Sequence, residues 1–142
     1  MKAIDQATIV FTSRSANEGF ARAAAACFAA QLDPTLDEVA DIKTAVSEAV
    51  TNAIVHAYRD RKDGKIYITM KLTQDGRIVI AVRDTGCGIA DVAQARQPCF
   101  TTAPGEERSG MGFSIMETFM DTLRVSSRPG RGTTVTMSKR LR

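Results

Sequence analysis

A chain of 142 residues, 44% hydrophobic and 25% charged, has the makeup of one ordinary globular domain and excludes a disordered or fibrous protein. The net charge of +3 arises from 19 basic and 16 acidic residues mixed along the chain, so composition argues for no direct nucleic-acid partner. Without a charged-then-apolar leader or an apolar run of membrane-spanning length, the expectation is a cytoplasmic protein with no membrane contact.

In chain order, residues 6–13 are β-rich and predict a first strand. Ser15-Ala16-Asn17-Glu18 has the capping-box pattern and predicts a helix through about Leu32. Asp33-Pro34 interrupts, Thr35-Leu36-Asp37-Glu38 repeats the capping pattern, and a second helix runs to about Tyr58 on a stripe that includes Val39, Ile42, Val46 and Val50. Lys65–Thr73 and Arg77–Asp84 flank Gln74-Asp75-Gly76 and predict a hairpin. Residues 85–111 are irregular apart from a short helix near Ile89–Ala95, and an irregular stretch of that length is usually functional. A helix over Gly112–Met120 follows, then strands Leu123–Ser127 and Thr133–Arg140; the basic end Ser138–Arg142 reads as a solvated chain end. With no repeat or linker, residues 1–142 form a single domain, an α/β (α+β) two-layer sandwich.

Cys27, Cys87 and Cys99 are odd in number and lack CxxC spacing, and His56 is the single imidazole. These exclude a disulfide framework, a zinc site and a His-rich metal centre. Cys87, inside a Gly-rich loop, reads either as an oxidation-sensitive thiol or as a small loop residue.

Chemistry concentrates in three segments. Glu48 and Asn52 stand one helical turn apart on one face. A carboxylate there can take a proton from a nucleophile, and an amide oxygen can ligate a hard cation such as Mg²⁺; the alternative is a solvated polar face. His56 continues the row, with a structural or supporting role favoured. Asp84 closes a strand before Thr85-Gly86-Cys87-Gly88, where a carboxylate can accept from an exocyclic amine such as that of adenine and glycines let a flat ring approach; alternatively the Asp caps a turn. Gly110-Met111-Gly112 leads into a helix, whose unpaired N–H groups suit phosphate, with Arg108 beside it to add charge. There is neither a P-loop nor a strand followed by GxGxxG.

The order ExxxN on a helix, DxGxG after a strand and GxG before a helix resembles the Bergerat (GHKL) ATP-binding fold shared by gyrase B, histidine kinases and MutL. Closer still, Ser47-Glu48-Ala49-Val50-Thr51-Asn52-Ala53-Ile54, Ala95-Arg96-Gln97-Pro98, Phe100-Thr101-Thr102 and Glu107-Arg108-Ser109-Gly110-Met111-Gly112-Phe113 resemble the bacterial anti-sigma F factors. Phe20-Ala21-Arg22 and Ala30–Thr35 extend that resemblance over essentially the whole chain.

The resemblance implies a mixed, mostly antiparallel sheet covered on one face by helices, in a homodimer. It implies a protein serine kinase that binds a sporulation sigma factor of the sigma F type and phosphorylates a STAS-class anti-anti-sigma partner, with ATP/ADP and Mg²⁺ as cofactors. Glu48 is then the base on the partner's serine and Asn52 the magnesium ligand. Asp84, Gly86, Gly88 and Thr133 serve the adenine. Thr101, Thr102 and Ser109 belong to a lid, Arg108 reaches the γ-phosphate, Gly110, Met111 and Gly112 line the phosphate turn, and Arg22 lies in the sigma-contacting region. Two alternatives stay open: a nucleotide-gated sigma-binding module without useful turnover, and the equivalent factor of a stress-response sigma.

Overall fold

The computed structural model describes residues 2–96 and 112–142. Strand β1 (Ala3–Thr12) starts earlier than its β-rich run suggests, because pairing with β2 (Lys65–Thr73) carries on through an irregularity at Ala3/Asp5. Helix α1 (Asn17–Ala29) lacks the expected capping box. Its N-cap is Ala16, with no side-chain cap; Asn17 Nδ2 donates to Thr12 O (2.9 Å), and Glu18 lies 3.5 Å from Arg22 Nη1.

The second capping box does form. Thr35 Oγ1 accepts from Glu38 N (3.1 Å) while Glu38 Oε1 accepts from Thr35 N (2.8 Å), fixing the start of α2 (Leu36–Asn52). The α-helix stops at Asn52 and passes into a π turn over Ala53–Ala57, where one uniform helix to Tyr58 was expected. Periodicity does not register the one extra residue that a π turn holds.

Hairpin β2–β3 (β3, Arg77–Asp84) forms as predicted, with Gly76 in the left-handed region and Gly76 N donating to Thr73 O. A short helix α3 (Val92–Ala95), helix α4 (Gly112–Phe119) and strands β4 (Thr122–Arg128) and β5 (Gly132–Arg140) complete the described chain. The sheet order is β1-β2-β3-β5-β4 and every described pairing is antiparallel, so the expected mixed character is absent there.

Strand alternation sends Ile66, Ile68, Met70, Leu72, Ile78 and Ile80 toward the helices, where Ile42, Val46 and Val50 of α2 meet them in one core. Each such side chain contributes about 1.5–3 kcal/mol on burial. Among the described residues no helix covers the opposite sheet face. The C-terminal residues are not the solvated end expected of them. Leu141 is 2% exposed and donates its N–H to Gly76 O, Lys139 Nζ meets Phe119 O (2.8 Å) and Asp41 Oδ2 (3.3 Å), and Arg142 N donates to Glu38 Oε2 (3.1 Å). Alternation in β5 alone, buried Met137 and half-buried Lys139 facing the helices, draws the end into the fold.

Candidate nucleotide site

Glu48 and Asn52 from α2 and His56 from the π turn line one cleft of about 370 Å³, closed on the sheet side by Asp84, Val82 and Thr133. The helical row and the end of β3, separate in sequence, therefore face one space. His56, expected in a supporting role, stands in the cleft wall itself.

Asp84 is 6% exposed. Its Oδ1 accepts from Gly86 N (3.0 Å) and Thr133 N (3.2 Å), so it caps the turn while also lining the cleft. Burial raises its pKa above the ordinary carboxylate value, against the opposing pull of the two N–H groups and Arg83. Because the folded pKa lies above the unfolded one, the folded state holds more protons between the two. Stability then falls as pH rises through that window, and the penalty persists above it. Asp84→Asn keeps an acceptor for both N–H groups and removes the buried charge. It is expected to melt no lower than the parent at pH 7 while ATP affinity falls tenfold or more; calorimetry of both variants, with a lower melting point or unaltered affinity, counts against the assignment.

The π turn positions the glycine loop. Ala57 O, displaced by the turn, accepts from Cys87 N (3.0 Å), and a Cβ on Gly86 would overlap that carbonyl. Gly88, at φ +77°, lies as tightly against Arg128 O, while Gly130 N donates to Cys87 O (2.7 Å) and Ile89 N to Ser127 Oγ (2.7 Å). The sequence suggested that these glycines let a flat ring approach. In the structure their bare faces press on protein backbone, which docks the loop between the π turn and the β4–β5 turn. Exposed Cys87 lines the cleft beside them.

Tyr58 is a residue supporting the site that the sequence reading missed. Buried at 2% exposure, its hydroxyl accepts from Thr85 N (2.8 Å) and donates to Lys65 O, tying the end of the π turn to the residue after Asp84. A lone Tyr at the last turn of a predicted helix was the only available signal. Tyr58→Phe takes the hydroxyl from the part-buried Thr85 N–H and Lys65 carbonyl, a cost of about 1 kcal/mol, and is expected to raise the KM for ATP severalfold. Chemical denaturation paired with nucleotide titration tests this, an unchanged KM counting against it.

Gly112, at the start of α4, sits against Asn52: its Cβ would lie 3.0 Å from Asn52 Nδ2. Glu48 is half-buried, and its pKa is raised, first by desolvation and then by the charge of Glu18 on α1. Besides the cleft, Glu48 lines a groove between α1 and α2 with Glu18, Arg22, Lys43, Thr44 and Ser47. The expected site residues Thr101, Thr102, Arg108, Ser109, Gly110 and Met111 lie outside the described residues, as does Cys99.

The donors suit Mg-ATP. Among the described residues no group of three His, Cys, Asp or Glu makes a protein-only metal cage. A single amide oxygen at Asn52, in a cleft roomy enough for phosphates, matches an ion held mainly by phosphate oxygens and water.

A one-sided helix layer on an antiparallel sheet, with the cleft between α2 and the end of β3, defines an ATPase-type domain. Residues 11–139 match the histidine kinase-like ATPase domain, and the chain belongs to that family. Within it the relatives are anti-sigma F factors. The chain is 54% identical to the anti-sigma F factor of Heyndrickxia coagulans over 131 residues, covering 92% of this chain and 89% of that protein. It is 58% identical to that of Pasteuria penetrans, covering 92% and 87%. The crystal structure of the RsbU and RsbW domains of a Mycobacterium tuberculosis protein superposes with a TM-score of 0.68 at 25% identity, over 96% of this chain and 32% of that longer one.

Proposed function

We propose that this protein is an ATP-dependent protein serine kinase that also sequesters a sigma factor of the sigma F type. The observation that carries the kinase half is the place of Glu48. It is the one side chain shared by the described linings of the nucleotide cleft and of the α1–α2 groove. A carboxylate in that wall faces phosphates on one side and is open to a partner's hydroxyl on the other. The sigma-binding half rests on the names of the relatives, which are anti-sigma F factors.

In this reading Asp84 accepts from the adenine amino group, and Thr133 packs beside it. Asn52 holds Mg²⁺, which when bound neutralises charge on the phosphates. Glu48 takes the proton from the serine hydroxyl of a STAS-class anti-anti-sigma partner as its oxygen attacks the γ-phosphorus of ATP; ADP leaves and phosphoserine forms. By family match, Arg108, Ser109, Gly110, Met111 and Gly112 bind the phosphates and Thr101 and Thr102 belong to the lid. Arg22, in the groove beside Glu48, contacts partners.

The protein acts as a cytoplasmic homodimer. Supporting the dimer, β1 is an edge strand, with Val10 and Phe20 more than half exposed near it. Among the described residues no helix is long and apolar enough to cross a membrane. The test is incubation with γ-labelled ATP, a sigma F-type factor and a STAS protein. Label on a serine of the STAS protein and nucleotide-dependent capture of the sigma factor are expected. ATP binding and sigma capture without label would leave a nucleotide-gated binding module and refute the kinase.

A further inference from the structure

The basic residues that alternate with acids along the sequence separate in the fold. On the helix-free face of the sheet, β2 presents Lys65 and Lys71, β3 presents Arg77 and Arg83, and β4 presents Arg124 and Arg128. The register shows that they share one face. Lys71 pairs with Val79, Arg77 with Arg140, Arg83 with Thr134, and Thr136 with Arg124, all opposite in side to the buried Ile66, Ile80, Val82 and Met137. No Asp or Glu occupies an outward position on β2, β3, β4 or β5; Asp84 points to the helix side, and Asp75, in a turn, pairs with Arg77 at 3.7 Å.

We infer that this face binds the phosphate backbone of double-stranded nucleic acid without reading its sequence. This goes beyond the proposed kinase activity and does not depend on it. Three inter-strand steps of about 4.8 Å separate the Lys65/Lys71 row from the Arg124/Arg128 row, about 14 Å in all. That is close to the width of the B-DNA major groove, about 12 Å, so the two rows reach phosphates on opposite rims. Between the rows stand Thr134 and Thr136 of β5, and within them Thr69 and Ser126, whose hydroxyls donate to phosphate oxygens.

A protein partner fits less well. Interfaces are anchored by buried aromatic or apolar hot spots, but between the basic rows this face has small residues, its exposed Val10 lies out on the edge strand β1, and the ring of its one aromatic, Tyr67, is covered by the Arg83 guanidinium at 4.0 Å. With that ring covered, single strands lack a stacking platform. A second copy of this face is repelled by like charge.

The test is fluorescence anisotropy of a mixed-sequence duplex of about 20 base pairs, titrated with the full chain from about 50 mM KCl upward. Lys71→Gln/Arg124→Gln lies away from the nucleotide cleft, so ATP binding reports that it is folded. It is expected to weaken duplex binding about tenfold or more and to reduce the salt slope by roughly two. Arg14→Gln/Lys62→Gln removes the same charge elsewhere and is expected to leave binding within about twofold. Equal weakening by both double variants, or no binding at the lowest salt, overturns the inference. Tighter binding to polyglutamate than to duplex at equal charge overturns it in favour of an acidic protein.

Discussion

Glu48→Gln is expected to lower phosphoryl transfer to a STAS partner by about 10²–10⁴-fold while leaving the affinity for ATP within about twofold. The amide keeps the size and polarity of the side chain and cannot take the serine proton. Asn52→Ala is expected to behave differently, losing Mg-ATP affinity tenfold or more, because it deletes the amide oxygen proposed to hold magnesium and leaves a void beside Gly112. Isothermal titration with Mg-ATP and single-turnover transfer separate the two variants; equal loss of affinity in both would end this division of labour. The pH profile adds a check. A base works ionised, and burial together with Glu18 raises the Glu48 pKa. The acid limb of transfer therefore falls at higher pH than an ordinary carboxylate near 4.3 gives, and Glu18→Gln moves it down. An acid limb unmoved by Glu18→Gln contradicts the coupling.

Gly132→Ala is expected to be a severely damaging single methyl. Gly132 opens β5 at φ +122°, where L side chains are strained, and a Cβ there would overlap Asp84 O. The atom cannot be accommodated by moving a flexible side chain, because the obstacle is the backbone of Asp84. Relief requires β3 and β5 to part where Thr133 N bonds Asp84 Oδ1. A loss of about 3–5 kcal/mol follows, or on the order of 10–20 °C in Tm. Gly130→Ala supplies the control. It too has a positive φ (+75°), but its Cβ meets open space, so only the conformational cost of about 1–2 kcal/mol remains. Similar melting points for the two variants would show that backbone conformation, and not the approach to Asp84, sets the requirement for glycine.

The comparison of these glycines shows what a sequence conveys. Both belong to one Pro-Gly-Arg-Gly turn and look alike as letters. They differ in what the remote strand β3 places against them.

Local patterns were legible. The 3.6-residue period put Glu48 and Asn52 on one face, Asp75-Gly76 made the hairpin, and Thr35 with Glu38 capped α2, because each depends on residues within a turn or two of one another. The ordered motifs around Asn52 and Asp84 also carried the family, which spans residues 11–139. Tertiary structure decided the rest, through contacts between segments far apart in the chain. It turned the end of α2 into a π turn against the Cys87 loop and clamped Thr85 with Tyr58. It spent Glu18 beside Glu48 instead of on a cap, and buried Leu141. It also gathered interleaved lysines and arginines onto one sheet face. A strand sends alternate residues to opposite sides, so charge that looks mixed along the sequence is sorted only when the strands pair.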